Sequence, residues 1–120
     1  MQENDTIRLR HMLDAARQAM EFTRGRSRAD LDRDSMLVLA LVKLVEIVGE
    51  AASQVSDLGR ANVPNLPWAE IVGMRPRLVH AYSDINLDIL WQTIRQDLPP
   101  LIAALEELLG AEEKDAPGDC

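Results

Sequence analysis

The most regular pattern in this 120-residue chain is an apolar seam whose members recur every three or four residues. Side chains at that spacing share one face of an α-helix, so the seam predicts an amphipathic helix packed in a bundle. Its members are Leu37, Leu41, Leu44, Val48, Ala51 and Val55. The seam is widened by Met36, Ala40, Ile47 and Ala52. A face this broad is typical of a helix that packs inside its own bundle and also against a neighbouring molecule.

Two further seams lie at the ends of the chain. The first helix follows the polar residues Asn4 and Asp5, ends near Gly25, and buries Leu9, Leu13, Ala16 and Met20. The last helix carries Leu87, Trp91, Ile94, Leu98, Leu101, Leu105 and Leu108. Pro99 and Pro100 fall inside this seam and lack backbone donors, so we expect a bend there, with Asp97 restarting the helix.

The stretch from Ser56 to Pro67 predicts a loop, because it contains Asp, Gly, Asn and two prolines. Pro67 suits the first position of a third helix, where its missing N–H is not needed. We expect this helix to carry Trp68, Ile71 and the stretch from Arg75 to Tyr82.

The sequence predicts two local features of the second helix, which carries the seam from Leu37 to Val55. Asp30 or Asp32 can cap its beginning. Small side chains near its end would let another backbone come close, and these are Gly49, Ala51, Ala52 and Ser53. No strand pattern competes along the chain, so the predicted fold is an all-α bundle of four or five helices.

The formal net charge of −7 lies in the C-terminal third. Residues 84–120 hold nine acidic side chains against Arg95 and Lys114, whereas the first 83 residues hold 11 acids and 11 bases. We therefore predict a helical domain over residues 1–110 and an acidic, disordered tail over 111–120. A basic site on the domain is compatible with this distribution.

Three features indicate a cytoplasmic protein. The longest apolar run, from Met36 to Val42, is far shorter than the ~20 residues that a membrane span needs. The N-terminus lacks the basic start and apolar stretch of a secretory signal. The single cysteine, Cys120, can form no disulfide within one chain, which fits a reducing compartment.

Arg75, His80 and Tyr82 place a fixed cation, an imidazole and a phenol within eight residues. An imidazole that titrates near neutral pH can take a proton from a hydroxyl and return it. A guanidinium can hold a phosphate by two hydrogen bonds while negative charge builds. RNA supplies the remaining group, because its 2′-OH can attack the adjacent phosphate. These residue types therefore suit RNA cleavage without a metal.

A straight helix would hold these side chains apart. At ~100° per residue, Arg75 and His80 lie about 140° apart around the axis, while Arg77 lies nearer the face of His80. Arg75 and His80 could meet if the helix bends, if the long side chain of Arg75 reaches around it, or if a second copy of the motif lies across a dimer. Pro76 is placed to cause such a bend.

Other polar residues give weaker signals. No Gly-rich phosphate loop and no Cys or His pair at metal-ligand spacing occurs, so we predict neither a cofactor nor a metal. His11 lies off the first apolar seam and is expected at the surface. Glu46 and Glu50, one turn apart, are either paired carboxylates for acid–base work or structural helix residues. The arginine-rich connection at 24–28 is either a solvated turn or a contact to RNA or an acidic partner.

Several segments, in order along the chain, carry a family resemblance. They are EIVGEAA at 46–52, PWAEIVGMR at 67–75, RLVHAY at 77–82, DILW at 88–91 and DLPPLI at 97–102. Together they strongly resemble the HepT-like toxins of the HEPN superfamily, over nearly the whole chain except the acidic tail.

The resemblance implies a homodimeric helical bundle that acts as a metal-independent ribonuclease on tRNA or mRNA. Its Arg-x4-His-x-Tyr motif would come from both subunits at the dimer cleft. Arg75 would bind and stabilise the scissile phosphate, His80 would be the acid–base catalyst, and Arg77 is a candidate RNA contact. Tyr82 would receive AMP from a partner antitoxin, a minimal nucleotidyltransferase of the MntA type. The added nucleotide would bring bulk and negative charge beside the RNA path.

One residue departs from the family pattern. The position after the motif arginine usually holds a polar residue, often asparagine, and this chain has Pro76. Either catalysis tolerates this change, or the activity of this copy is low. The alternative function is therefore a non-catalytic HEPN dimer that binds a nucleotidyltransferase partner or a nucleotide.

Overall fold

The structure, a computed structural model, describes residues 1–81 and 84–115. Helices dominate it, which confirms the predicted all-α class. In chain order the elements are α1 (Glu3–Phe22), α2 (Asp30–Arg33), α3 (Ser35–Ser53), α4 (Asp57–Ala61), α5 (Trp68–Val72), α6 (Met74–Leu78), β1 (Val79–Ala81), β2 (Asp84–Ile85), α7 (Leu87–Gln92), a π-helical turn (Thr93–Asp97) and α8 (Leu98–Asp115). Within these residues, no helix has the length and apolar character to cross a membrane.

The core centres on α1, which packs against both α3 and α8. α1 and α3 run antiparallel, because Asp5 near the start of α1 bonds Ser56 just after the end of α3. Every member of the predicted α3 seam is buried, which confirms that prediction. The facing side chains of α1 and α8 that are at most 2% exposed include Leu9, Met12, Ala16, Leu98, Leu101 and Leu105. Full burial of one leucine contributes about 1.5–3 kcal/mol, so these seams supply much of the stability.

The outer part of the broad α3 face stays open to solvent. Ala52 is buried, and Ala40 and Ile47 are half-buried. By contrast, Met36 is 81% exposed and Leu39 is 60% exposed. α3 therefore packs in the bundle along one side and presents two large aliphatic side chains on another.

Asp34 caps α3, so the prediction of Asp30 or Asp32 was wrong. The Asp34 carboxylate accepts a hydrogen bond from the backbone N–H of Leu37 at 3.0 Å. Asp30 instead begins the separate helix α2, where its carboxylate accepts from the backbone N–H of Ser27 at 2.7 Å. The two helices are distinct because the backbone leaves the helical conformation at Asp34, with φ −122° and ψ 88°.

The predicted loop between Ser56 and Pro67 contains the short helix α4. The hydroxyl of Ser56 caps it by accepting from the backbone N–H of Gly59 at 3.1 Å. Pro67 is the N-cap of α5 and not its first helical residue. A five-residue helix has no apolar seam of its own, so periodicity could not reveal α4.

A buried carboxylate ties the start of α1 to α4. Asp5 is 3% exposed and accepts hydrogen bonds from the hydroxyl and the backbone N–H of Ser56, the latter at 2.8 Å. These two bonds, the hydroxyl first, lower the pKa of Asp5 against the opposing effect of burial. Gly59 permits the approach, because a Cβ there would lie 2.7 Å from the carboxylate carbon of Asp5.

The third predicted helix ends at Leu78. Gly73 separates α5 from α6, and the backbone at Val79 becomes extended, with φ −126° and ψ 105°. β1 then pairs antiparallel with β2, and the N–H of Asn86 donates to the carbonyl of Leu78 at 2.8 Å. A helix through the whole stretch and a chain without strands were therefore wrong predictions here. Strands this short show no alternation that the sequence could reveal.

The predicted break before the two prolines takes the form of a π-helical turn. The turn covers Thr93–Asp97, and α8 begins at Leu98, one residue after the predicted restart. Pro99 and Pro100 consequently lie in the first turn of α8. A π turn changes the hydrogen-bond register from i→i+4 to i→i+5. The helix can therefore tolerate two prolines, which have no N–H to donate.

α8 continues to Asp115, beyond the predicted domain boundary at residue 110. The first half of the predicted tail is therefore helical. Residues 116–120 lie outside the described residues, and disorder there stays a prediction.

We expect Asp5→Asn to lower the free energy of unfolding by about 1–3 kcal/mol near neutral pH, because an amide N–H₂ would replace one of the two oxygens that accept from Ser56. Since folding lowers the Asp5 pKa from 3.8, its stabilisation is complete above that pH and is lost as the pH falls through the folded-state pKa. The free energy of unfolding, measured with urea at a series of pH values, should therefore fall less steeply toward acid pH in the variant than in the wild type. Asp14→Asn is the control, since Asp14 is exposed on the same helix. Equal effects of the two substitutions would contradict the role of Asp5.

Candidate active site

Arg75 lies on α6 and reaches α3. Two buried neighbours, Met74 and Leu78, anchor α6 in the core at 3% and 0% exposure. The Nε of Arg75 donates to Oε2 of Glu46 at 3.3 Å. The two side chains are 37% and 40% exposed, so the pair lies at the surface with one side against the protein.

Glu46 also contacts a second cation. Lys43, one turn earlier on α3, places its Nζ 3.6 Å from Oε1 of Glu46. Among the described residues, neither terminal nitrogen of Arg75 has a hydrogen-bond partner. A guanidinium bonded through Nε alone keeps its two terminal nitrogens for a planar or tetrahedral anion such as phosphate.

Gly49 explains why the end of α5 comes so close to α3. A Cβ at Gly49 would lie 3.3 Å from the carbonyl oxygen of Ile71 and 3.5 Å from that of Val72. The predicted approach of another backbone to the small residues of the second helix is confirmed at this position. Glu46 precedes Gly49 by nearly one turn, so the contact that seats α5 on α3 also sets Arg75 beside Glu46.

His80 is the middle residue of β1 and does not lie on the predicted helix. The angle of about 140° between Arg75 and His80 therefore does not apply, since it assumed a continuous helix. Pro76 lies in the first turn of α6, where its missing N–H is tolerated, and it does not bend a longer helix as expected. The side chain of His80 and all of Tyr82 lie outside the described residues, so their roles stay predictions.

Arg77 lies on a different side of α6 from Arg75, as a two-residue separation of about 200° requires. It is exposed and lines a cavity of about 240 Å³ between α6 and α8, together with Met74, Pro100 and Leu101. The structure therefore does not bring Arg77 to the Arg75–Glu46 pair. Its predicted RNA contact stays untested.

A polar groove of about 380 Å³ runs between α1 and α3 and borders Glu46. Its basic side chains are Arg8, His11 and Lys43, and its carboxylates are Glu46 and Glu50. His11 is exposed, as predicted. Within the described ranges, no three His, Cys, Asp or Glu side chains lie close enough to hold a metal ion. The sequence showed no such groove, because its two walls are more than 30 residues apart.

The arginines of the 24–28 connection all have acidic partners. The ion pairs join Arg24 to Glu21 at 2.7 Å, Arg26 to Asp34 at 3.4 Å and Arg28 to Asp88 at 2.8 Å. The hydrogen bond to Asp88, followed by that to Asp32, raises the pKa of Arg28. These contacts favour the solvated turn over the RNA contact.

The fold and the site define an all-α protein with a partly exposed arginine that is held through its Nε by a carboxylate. Residues 12–108 match the family described as "Ribonuclease HepT-like". No solved structure gave a significant match.

Curated relatives agree with this match. "Putative RNase TTE0752" from Caldanaerobacter subterraneus subsp. tengcongensis is 35% identical, over 88% of this chain and 94% of its own length. "Probable ribonuclease HepT" from Thermococcus cleftensis is 34% identical, over 73% of this chain and 80% of its own length. "Putative RNase MJ1380" from Methanocaldococcus jannaschii is 32% identical, over 79% of this chain and 87% of its own length. The chain belongs to the HepT-like ribonuclease family of the HEPN superfamily.

We expect Gly49→Ala and Gly110→Ala to change the free energy of unfolding differently, in sign or in size. Both replace a helical glycine, which by itself should stabilise by about 0.5–1 kcal/mol. Nothing lies within 4 Å of a Cβ at Gly110, whereas a Cβ at Gly49 meets the Ile71 carbonyl at 3.3 Å. Chemical denaturation should show the full gain at Gly110 and no gain at Gly49. An equal gain at both positions would show that the α3–α5 approach is not tight.

Proposed function

We propose that this chain is the toxin of a type VII toxin–antitoxin pair and cleaves tRNA or mRNA in the cytoplasm without a metal ion. The observation that carries the proposal is the arrangement of Arg75. Glu46 binds its Nε, its terminal nitrogens have no partner among the described residues, and His80 follows five positions later in a HepT-like chain.

The proposed reaction uses the 2′-OH of the RNA as the nucleophile. His80 takes the 2′-OH proton, the 2′-oxygen forms a bond to phosphorus, and the bond from phosphorus to the 5′-oxygen breaks. A protonated imidazole then returns a proton to the departing 5′-oxygen. Arg75 stabilises the negative charge that builds on the phosphate oxygens. The products are a 2′,3′-cyclic phosphate and a 5′-hydroxyl.

We expect His80→Ala and Arg75→Ala each to lower the cleavage rate by about 100-fold or more with EDTA present. General acid–base catalysis by His80 contributes about 10²–10⁴-fold, and one donor placed at a developing negative charge, as for Arg75, contributes about 10²–10³-fold. Arg77→Ala should raise KM with little change in kcat if Arg77 contacts RNA. Arg24→Ala is the control, because Arg24 forms an exposed ion pair with Glu21. Cleavage by the His80 variant at the wild-type rate would sink the proposal, as would a wild-type protein that cleaves nothing.

Dimerisation through α3 is the second part of the proposal. Met36 and Leu39 expose large apolar surfaces, and Ile47 lies half-buried further along the same side. On a helical wheel, Glu46 falls within about 100° of these residues. Two copies joined along this side would therefore bring their Arg75–Glu46 pairs toward one cleft.

We expect the wild-type chain to be a dimer at micromolar concentration and the double variant Met36→Glu, Leu39→Glu to be a folded monomer with reduced cleavage. Like charges and lost apolar contact would act together at the interface. Leu58→Glu is the matched control, since Leu58 is 72% exposed on α4. Light scattering measures the mass of each. A wild-type monomer would contradict the shared site.

Control of the toxin is the third part. A partner antitoxin, a nucleotidyltransferase of the MntA type, transfers AMP from ATP to the hydroxyl of Tyr82. The tyrosyl oxygen forms a bond to the α-phosphorus as it loses its proton, and pyrophosphate leaves. The attached AMP blocks the RNA path with bulk and negative charge. The support is the position of Tyr82 two residues after His80, within the segment RLVHAY.

A second candidate function is favoured by Pro76. This residue replaces the polar side chain usual after the motif arginine, and the first turn of α6 accommodates it without loss of the helix. The chain would then be a non-catalytic HEPN dimer that binds the nucleotidyltransferase or a nucleotide. Toxicity that disappears with Arg75→Ala, in a protein that stays dimeric, would count against this candidate.

A further inference from the structure

We infer that Glu46 is a positioning residue for Arg75, an inference that rests on the ribonuclease function proposed above. Its carboxylate holds the Nε edge of the guanidinium at 3.3 Å and leaves the terminal edge for an RNA phosphate. Glu46 acts through Arg75 and needs no contact with the RNA.

Glu46 and Arg75 each extend from a backbone segment that is packed in the core. On α3 it follows Val45, which is 0% exposed, and on α6 Arg75 follows Met74, which is 3% exposed. Each buried neighbour fixes the backbone from which the charged side chain extends. A long side chain such as that of arginine otherwise samples many rotamers, so one fixed bond at Nε restricts where its terminal nitrogens point.

The charge of Glu46 would by itself oppose RNA binding. Lys43 lies 3.6 Å from the other carboxylate oxygen, so the group of Lys43, Glu46 and Arg75 keeps a net positive charge. A carboxylate placed beside a phosphate-binding arginine is unfavourable for affinity unless it orients that arginine. The two effects of Glu46 on RNA affinity are therefore opposite in sign. If Glu46 acts only through its charge, its removal strengthens RNA binding, and if it orients Arg75, its removal weakens RNA binding.

Glu50 supplies the matched control within the same groove. It lies one turn beyond Glu46 on α3 and is exposed. Its carboxylate has no partner among the described residues. Removing either carboxylate therefore removes one negative charge from the groove, but only Glu46 contacts Arg75.

The experiment compares wild type, Glu46→Ala, Glu46→Gln and Glu50→Ala in the full-length protein. Steady-state cleavage of RNA with EDTA gives kcat and KM, and fluorescence anisotropy gives the affinity for a 2′-O-methyl RNA oligonucleotide that cannot be cleaved. Thermal unfolding verifies that each variant is folded. Glu46 is a surface residue with a 40% exposed side chain, so its replacement leaves the core intact.

We expect Glu46→Ala to lower kcat by about 10- to 100-fold, as misplacement of a catalytic group by about 1 Å does. It should also weaken RNA binding. Glu46→Gln keeps an acceptor for the Nε–H and should recover most of the loss. Glu50→Ala should leave kcat unchanged and bind RNA equally or more tightly, because it removes only a repulsive charge.

Glu46→Ala with the kcat and RNA affinity of Glu50→Ala would overturn the inference. If the wild-type protein cleaves nothing, the proposed ribonuclease function fails, and the binding measurement alone decides the role of Glu46. In that case, weaker binding by Glu46→Ala than by Glu50→Ala supports the inference, and equal or tighter binding overturns it.

Discussion

The close contact between α3 and the end of α5 at Gly49 is the constraint on which the candidate site depends. Because Gly49 has no Cβ, the carbonyls of Ile71 and Val72 can lie against the helix. α6 follows after one residue, Gly73, so its direction and position are set by this contact. Glu46 and Arg75, from segments almost 30 residues apart, meet as a consequence. A larger side chain at Gly49 would move the arginine away from its carboxylate.

The apolar seams allowed most of the bundle to be predicted, and short local elements did not. The seam from Leu37 to Val55 identified α3 because long helices repeat their buried positions many times. α4 and the β1–β2 hairpin contain too few residues for any repeat. The cap of α3 was ambiguous for another reason. Several aspartates precede the helix, and only the turn of the backbone at Asp34 selects one of them.

The candidate site, like the fold, could be predicted from the sequence only in part. Arg75 and His80 could be proposed as site residues from the sequence because their spacing lies within segments that resemble the HepT-like family. The family match confirms that resemblance, and the roles of the two residues stay predictions. The partnership of Arg75 with Glu46 could not, since it depends on how α6 packs on α3. The helical-wheel argument failed for His80 because the chain leaves the helix at Val79. Arg77, close in sequence, lies on another side of α6 for purely geometric reasons.

The mechanism that we propose is RNA cleavage by the substrate's own 2′-hydroxyl, with Arg75 oriented by Glu46. The most direct measurement is mass spectrometry of the ends left on a synthetic RNA cut by the wild-type protein in EDTA. The account predicts a 2′,3′-cyclic phosphate and a 5′-hydroxyl, and no cut when the nucleotide before the scissile phosphate is 2′-deoxy. Products with a 3′-hydroxyl and a 5′-phosphate, or cleavage of the 2′-deoxy substrate at the same position, would contradict it.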